Sequence, residues 1–189
     1  MTLAAADNPF RTSRLEVLTY RAADAHTGLA QIVNGFRANA WHGCIVGPPD
    51  TGKSTLLRAP TDGAEGEGAS LWRAFVNRQT PLRLRRLHPA AGSTAWSVDG
   101  WCHLPPWERA RLRRLARRRG ASILGTAHLC GWGLPTRWRT RACPRLLHDL
   151  VRELDPNLAP AEVDAAWRAT RGRPREALWH LYEHRARGA

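Results

Sequence analysis

Residues 47–55 read GPPDTGKST, directly after the apolar run WHGCIV at 41–46. The first eight fit G-x-x-x-x-G-K-[S/T], the phosphate-cradling loop that joins a strand to a helix. Each part has a physical reason. The loop's N–H groups must point inward at phosphate oxygens, so glycine is needed where a side chain would block the approach. A helix opening at Lys53 adds unpaired N–H groups and the positive end of its dipole. Lys53 is the only lysine among 29 Lys and Arg side chains. Its slim ammonium reaches the β- and γ-phosphates, where a planar, bulkier guanidinium would not fit the same cradle. The loop predicts a nucleotide site formed by Gly47, Pro48, Pro49, Asp50, Thr51, Gly52, Lys53, Ser54 and Thr55. The expected cofactors are ATP and Mg²⁺, with the Ser54 hydroxyl on the metal.

The flanking pattern predicts an α/β fold. From Asp24, a candidate cap, Leu29, Ile32, Val33 and Phe36 recur at helical spacing. After the loop, 51–59 is helix-compatible, Pro60 is expected to stop it, and TDGAEGEGA (61–69) reads as a loop. The second strand is placed at LWRAFV (71–76), with a weaker alternation at LRLRRL (82–87). AWSVDG (95–100) is a strand ending in an acid, 104–120 a helix with Pro105 and Pro106 in its first turn and Gly120 at its end, and ASILGTAH (121–128) another strand. Strand, helix, strand at this spacing is a parallel βαβ unit. The tail is helical at 143–154, 160–170 and 174–185. The expected domains are a nucleotide-binding α/β core with its N-terminal helix at 1–141 and a small helical cap at 142–189.

Asp99 closes its strand as a Mg²⁺-holding carboxylate would, opposite Ser54. Thr126 and His128 close the next strand at the same sheet edge, where a γ-phosphate or attacking water would lie. Cys102, His103, His128 and Cys130 form two Cys/His pairs at these strand ends, in no zinc-signature spacing.

Asn-Pro-Phe near the start, a helix, GPPDTGKST, a VDG strand, a strand ending in TAH and GRPREALWHLY near the end together resemble the AAA+ branch of P-loop ATPases. The likeness is greatest to compact bacterial forms similar to secretion- and transposition-type ATPases that begin with NPF. It implies a P-loop three-layer sandwich of ASCE type, with a parallel sheet whose Walker B strand, ending at Asp99, lies beside the P-loop strand. It also implies Thr126 as sensor 1 and Arg175 as sensor 2, and it makes Arg137, Arg139 or Arg141 the arginine offered to a neighbouring subunit. The chain departs from the family where a glutamate should follow Asp99: Gly100 stands there, and the nearest carboxylate is Glu108. Glu108, His103 and His128 are the candidate general bases; slow or absent hydrolysis is the other reading.

Net charge is +13. The run at 107–119 would present arginines to nucleic acid or an acidic protein, or merely to solvent. Of nine tryptophans, Trp41, Trp96 and Trp167 look inward. No apolar run reaches the length of a membrane span, and four scattered cysteines fit reduced thiols in the cytoplasm. The expectation is an ATP-binding protein, an AAA+-like ATPase acting on an unknown partner, with nucleotide-dependent self-association a further candidate. A non-hydrolysing nucleotide-gated switch, a nucleic-acid-associated ATPase and a small-molecule kinase are the alternatives. The kinase is disfavoured because no acceptor-binding insert is visible.

Overall fold

The computed structural model describes residues 8–15 and 28–187. These fall into two compact units, one from residue 28 to Thr140 and one joining residues 8–15 to the chain from Arg141 onward. Asp24, the expected helix cap, lies outside the described residues.

The first unit holds five strands, β1 (Gly43–Val46), β2 (Leu71–Phe75), β3 (Ala95–Asp99), β4 (Ser122–Ala127) and β5 (Thr136–Arg139), in the order β2-β3-β4-β1-β5. Every pairing is parallel. Parallel strands are covered on both faces, which is why the central ones read as continuous apolar runs. β1 is buried throughout, whereas β2 and β5, at the two edges, are not. Leu71–Phe75 takes the second strand, and Leu82–Arg85 is a 3₁₀ turn.

β3 does not neighbour β1. β4 is inserted between them, pairing Val46 with Ala127 on one side and Val98 with Gly125 on the other. This corrects the expected adjacency of the Walker B and P-loop strands. Sequence order carries no information on which strand is inserted; the crossovers decide it.

The helices flank the sheet. Side chains alternate along a strand, so Cys44, Val46, Trp96, Val98, Ile123 and Ala127 share one face, where they pack with Leu112 and Ala116 of α4 (Pro106–Arg119). Ser97, Asp99 and Thr126 fall on the other face with α3 (Lys53–Gly66), whose Thr61 hydroxyl lies 3.3 Å from that of Ser97. α2 (Leu29–Arg37) buries Ile32 and Phe36 of the expected stripe. α4 begins with Pro106 and ends at Gly120, as its sequence requires.

α3 runs through Pro60, contrary to expectation. Leu56, Leu57, Pro60, Thr61 and Ala64 form one buried stripe. That burial outweighs the hydrogen bond and steric fit that a mid-helix proline forfeits. The arginines of α4 also depart from a uniformly solvated face. Arg109 is buried, donates to the carbonyls of Leu104 (2.8 Å) and Cys102 (3.3 Å), and lies 4.6 Å over the Trp132 ring. Arg114, Arg117, Arg118 and Arg119 are exposed.

The second unit contains α5 (Pro144–Leu154), α6 (Pro160–Ala169) and α7 (Pro174–Arg187), with the short α1 (Thr12–Leu15). Leu147, Val151, Leu154, Val163, Ala177, Leu178 and Leu181 make its core, and Phe10 is buried among them. The Asn8 side chain donates to the Tyr182 carbonyl (2.9 Å) and accepts from the Phe10 N–H (3.0 Å). Asn-Pro-Phe thus docks on the C-terminal helices. Trp41 and Trp96 are core residues, and Trp167 packs half-buried against the second core.

Candidate functional site

The loop at 47–53 leaves β1 at its carboxyl end and opens α3. Gly47 is buried, Pro48, Pro49 and Asp50 are exposed, and Thr51 and Lys53 are buried again. Asp50 (φ 60°) and Gly52 (φ 77°) take left-handed conformations that curl the chain back. A Cβ at Gly47 would stand 2.0 Å from the Thr140 hydroxyl, so only glycine admits this approach. The Thr51 hydroxyl donates to the Pro48 carbonyl (2.8 Å), so it accepts from Thr140, 2.6 Å away. Thr140 therefore fastens the loop to the end of β5. No sequence signal marks it, because the pair is joined only through the fold.

Pro48 and Pro49 have no N–H. The donors available to an anion are those after them, and the first-turn N–H groups at Lys53, Ser54 and Thr55 have no intrahelical partner. Ser54 is exposed at this end. Lys53 donates to the Pro48 carbonyl. Burial lowers the pKa of its ammonium, while nearby Cys102 and the carboxylates of Asp50 and Asp99 act in the opposite direction. A glycine cradle, a buried ammonium and helix N–H groups without intrahelical partners fit a nucleotide's phosphates.

Asp99 and Thr126 meet across β3 and β4. The Thr126 hydroxyl donates to Asp99 Oδ1 (2.5 Å) and accepts from the Gly100 N–H (2.8 Å). Sequence periodicity placed both on one edge; the direct bond between them was not legible. Gly100 has φ 86°, and a Cβ there would stand 1.8 Å from the Val76 carbonyl oxygen. The position after Asp99 cannot carry any side chain in this backbone, so the missing glutamate is excluded by the fold.

Glu108 is fully buried and does not stand open to a reacting water. Its Oε1 accepts from the Leu87 N–H (2.7 Å), and Arg111 grips both oxygens at 2.6 and 2.7 Å. Burial pushes its pKa up, but the Arg111 and Leu87 hydrogen bonds outweigh this and hold it below the usual value.

His103 and His128 lie in edge-to-face contact, 5.2 Å between ring centroids. Burial lowers the pKa of both. The charge of His128 adds to this at His103; Lys53 adds to it at His128, where the nearby Gly47 backbone works the other way. Cys102 joins them, with one donor atom from each of the three residues within 4.8 Å of the others. Cys130 is exposed and is not part of that group. Among the arginines after β4, Arg137 donates to the His42 carbonyl (3.0 Å), while Arg139 and Arg141 are exposed. Arg175 belongs to the second unit, exposed on the first turn of α7.

No protein-family model and no curated protein sequence matches the chain. Solved structures do. AMPPCP-bound DnaA from Aquifex aeolicus superposes with TM-score 0.59 at 14% identity, over 89% of this chain and 63% of DnaA. The replication initiator DnaA bound to AMPPCP and single-stranded DNA gives 0.59 at 14%, over 85% and 61%. The Thermotoga maritima RuvB Holliday junction branch migration motor gives 0.52 at 14%, over 81% and 58%. The chain thus spans less than two thirds of the length of each of these structures. The parallel sheet, the loop between β1 and α3 and these superpositions show that the chain has the α/β P-loop NTPase fold seen in DnaA and RuvB.

Proposed function

We propose that the chain binds ATP with Mg²⁺ in the loop at 47–55 and couples binding, or slow hydrolysis, to a partner in the reducing cytoplasm. One observation carries this reading: the phosphate loop, Asp99 and Thr126 all leave the carboxyl edge of one parallel sheet, where the Thr126 hydroxyl holds the Asp99 carboxylate at 2.5 Å. Lys53 and the helix N–H groups hold the phosphates, Ser54 and Asp99 hold Mg²⁺ directly or through water, and Thr126 orients Asp99. Mg²⁺, when bound, neutralises charge on the β- and γ-phosphates. His128, whose ring lies against that of His103, is the first choice to orient a water, and His103 the second. Glu108 is assigned a structural role. Arg175, on the helical unit, is kept as the sensor-2 candidate, and Arg139, exposed at the end of β5, as the arginine offered to a neighbouring copy. The NPF-starting subgroup stays an attribution from the terminal motifs.

Steady-state phosphate release tests the hydrolytic part. The expected result is slow turnover that Asp99→Asn and His128→Ala abolish and Glu108→Gln leaves within about threefold, since a buried carboxylate already held by Arg111 and the Leu87 N–H is not open to a reacting group. Release no faster than in Asp99→Asn would instead favour the non-hydrolysing switch. The exposed Arg114, Arg117, Arg118 and Arg119 support a second reading, in which the partner is a nucleic acid.

A further inference from the structure

The turn after Asp99 carries Cys102 and His103, and the end of β4 carries His128. Their donor atoms, one thiol sulfur and two imidazole nitrogens, gather within 4.8 Å of one another. Ring packing between the two histidines does not account for this cluster. It leaves His128 Nδ1 buried with no hydrogen-bond partner, a loss of about 1–3 kcal/mol for an ordinary polar atom. The turn is also held from outside. Arg85 donates to the His103 carbonyl (3.1 Å) and Arg109 to the Cys102 carbonyl (3.3 Å), so both backbones are pinned while their side chains converge.

We infer that Cys102, His103 and His128 form a binding site for a transition-metal cation of the Zn²⁺ class. Donor chemistry selects the ion. One thiolate and two imidazoles suit Zn²⁺ or Co²⁺, whereas Mg²⁺ takes oxygen ligands. Zn–S of about 2.3 Å and Zn–N of about 2.0–2.1 Å set neighbouring donors about 3.5 Å apart in a tetrahedron. The cluster therefore closes by about 1 Å, within reach of side-chain rotation at three half-buried residues. Binding releases the Cys102 thiol proton to solvent, and both imidazoles coordinate as neutral bases. Three protein ligands leave the fourth position to solvent.

The site uses no residue of the phosphate loop and is distinct from the Ser54–Asp99 Mg²⁺ pair. It ties the turn after β3 to the end of β4, three residues from Asp99 and two from Thr126. Coordinating a cation and accepting a proton are mutually exclusive uses of the two imidazoles. Occupancy would therefore silence the turnover assigned to His128.

Co²⁺ is the probe. Reduced, metal-stripped protein is titrated with Co²⁺ in the absence of nucleotide. The expected result is a sulfur-to-cobalt charge-transfer absorption with strong tetrahedral visible bands, saturating at one ion per chain and bleached by Zn²⁺. Cys102→Ser should abolish the charge-transfer absorption. His103→Ala and His128→Ala should each weaken binding at least about tenfold, since even outer partners of a metal site are worth that much. Cys143→Ser, on the other unit, should change nothing. Circular dichroism of each variant reports that it has folded, and His103→Ala carries the test if Cys102→Ser does not fold. Absence of the absorption in the wild type, its persistence in Cys102→Ser, full affinity in His103→Ala, or its loss in Cys143→Ser overturns the site. Because nucleotide is absent throughout, the result stands apart from that of the ATP reading.

Discussion

At residue scale, three positions separate what this chain can do from what its pattern suggests. Gly100 is the first. Its φ of 86° and the Val76 carbonyl 1.8 Å from a would-be Cβ exclude a glutamate. Gly100→Glu should therefore fail to raise phosphate release and should lower the unfolding free energy by at least about 2 kcal/mol, from backbone strain and overlap. A variant as stable as wild type with faster turnover would contradict this. Glu108 is the second. Glu108→Ala leaves Arg111, a third exposed, without its carboxylate, with only the Leu87 carbonyl still accepting from it, and leaves the Leu87 N–H unmet. The cost should be about 3 kcal/mol, at the low end for a broken buried pair because solvent reaches Arg111. Its folded pKa is depressed, so its contribution is full above the ordinary value of 4.5 and fades as pH falls through the folded value. The gap in urea midpoint between wild type and Glu108→Ala should be wide near neutrality and narrow in acid. Equal gaps at both would refute the assignment. Lys53 is the third: the pattern GPPDTGKS makes the phosphate loop legible from sequence, and the lone lysine adds weight to it.

At element scale, the periodic segments were readable and the compensated ones were not. α4 announces both its ends, with prolines at the start and glycine at the close. α3 does not, because Pro60 and Gly63 argue against a helix that tertiary burial nevertheless holds. The two residues behave differently. Pro60→Ala regains helix propensity of about 3 kcal/mol and loses about 1–2 kcal/mol of buried apolar contact. It should raise stability by about 1 kcal/mol, read as a higher urea midpoint. Gly63→Ala also gains propensity, yet its Cβ would stand 2.6 Å from the Trp41 ring. Overpacking of this kind costs about 1–3 kcal/mol, so the midpoint should fall. If both variants shift in the same direction, the balance described for α3 is wrong. The order of strands was likewise hidden. Periodicity identifies β3 and β4 but is silent on which of them borders β1.

At the scale of the whole molecule, contacts between distant segments decide the candidate site and the second unit alike. Thr140 reaches Thr51 and Gly47 across the chain, and Asn8 and Phe10 dock on the C-terminal helices. Asn-Pro-Phe was legible as a motif, but its physical role was not, because nothing local predicts a partner at Tyr182. Phe10→Ala should cost about 3 kcal/mol, typical of emptying an aromatic site, and should lower hydrogen-exchange protection in α5 and α7 but not in β1 or β4. The charge of +13 also acts at this scale. If a polyanion is the partner, replacing Arg114, Arg117 and Arg118 with Ser should reduce the salt slope of single-stranded DNA binding by about 2. An unchanged slope would make these arginines mere solvated surface. No described helix is long and apolar enough to cross a membrane.

The most direct test of the central claim is equilibrium binding of a fluorescent ATP analogue, with Mg²⁺, to wild type, Lys53→Ala and Lys53→Arg. The account predicts saturable binding in the wild type. It also predicts a loss of at least about 100-fold in both variants, because the cradle needs a slim point charge and a guanidinium does not supply one. Circular dichroism should show the fold retained in each. Undiminished affinity in Lys53→Ala, or no binding by the wild type, would contradict nucleotide binding at this loop.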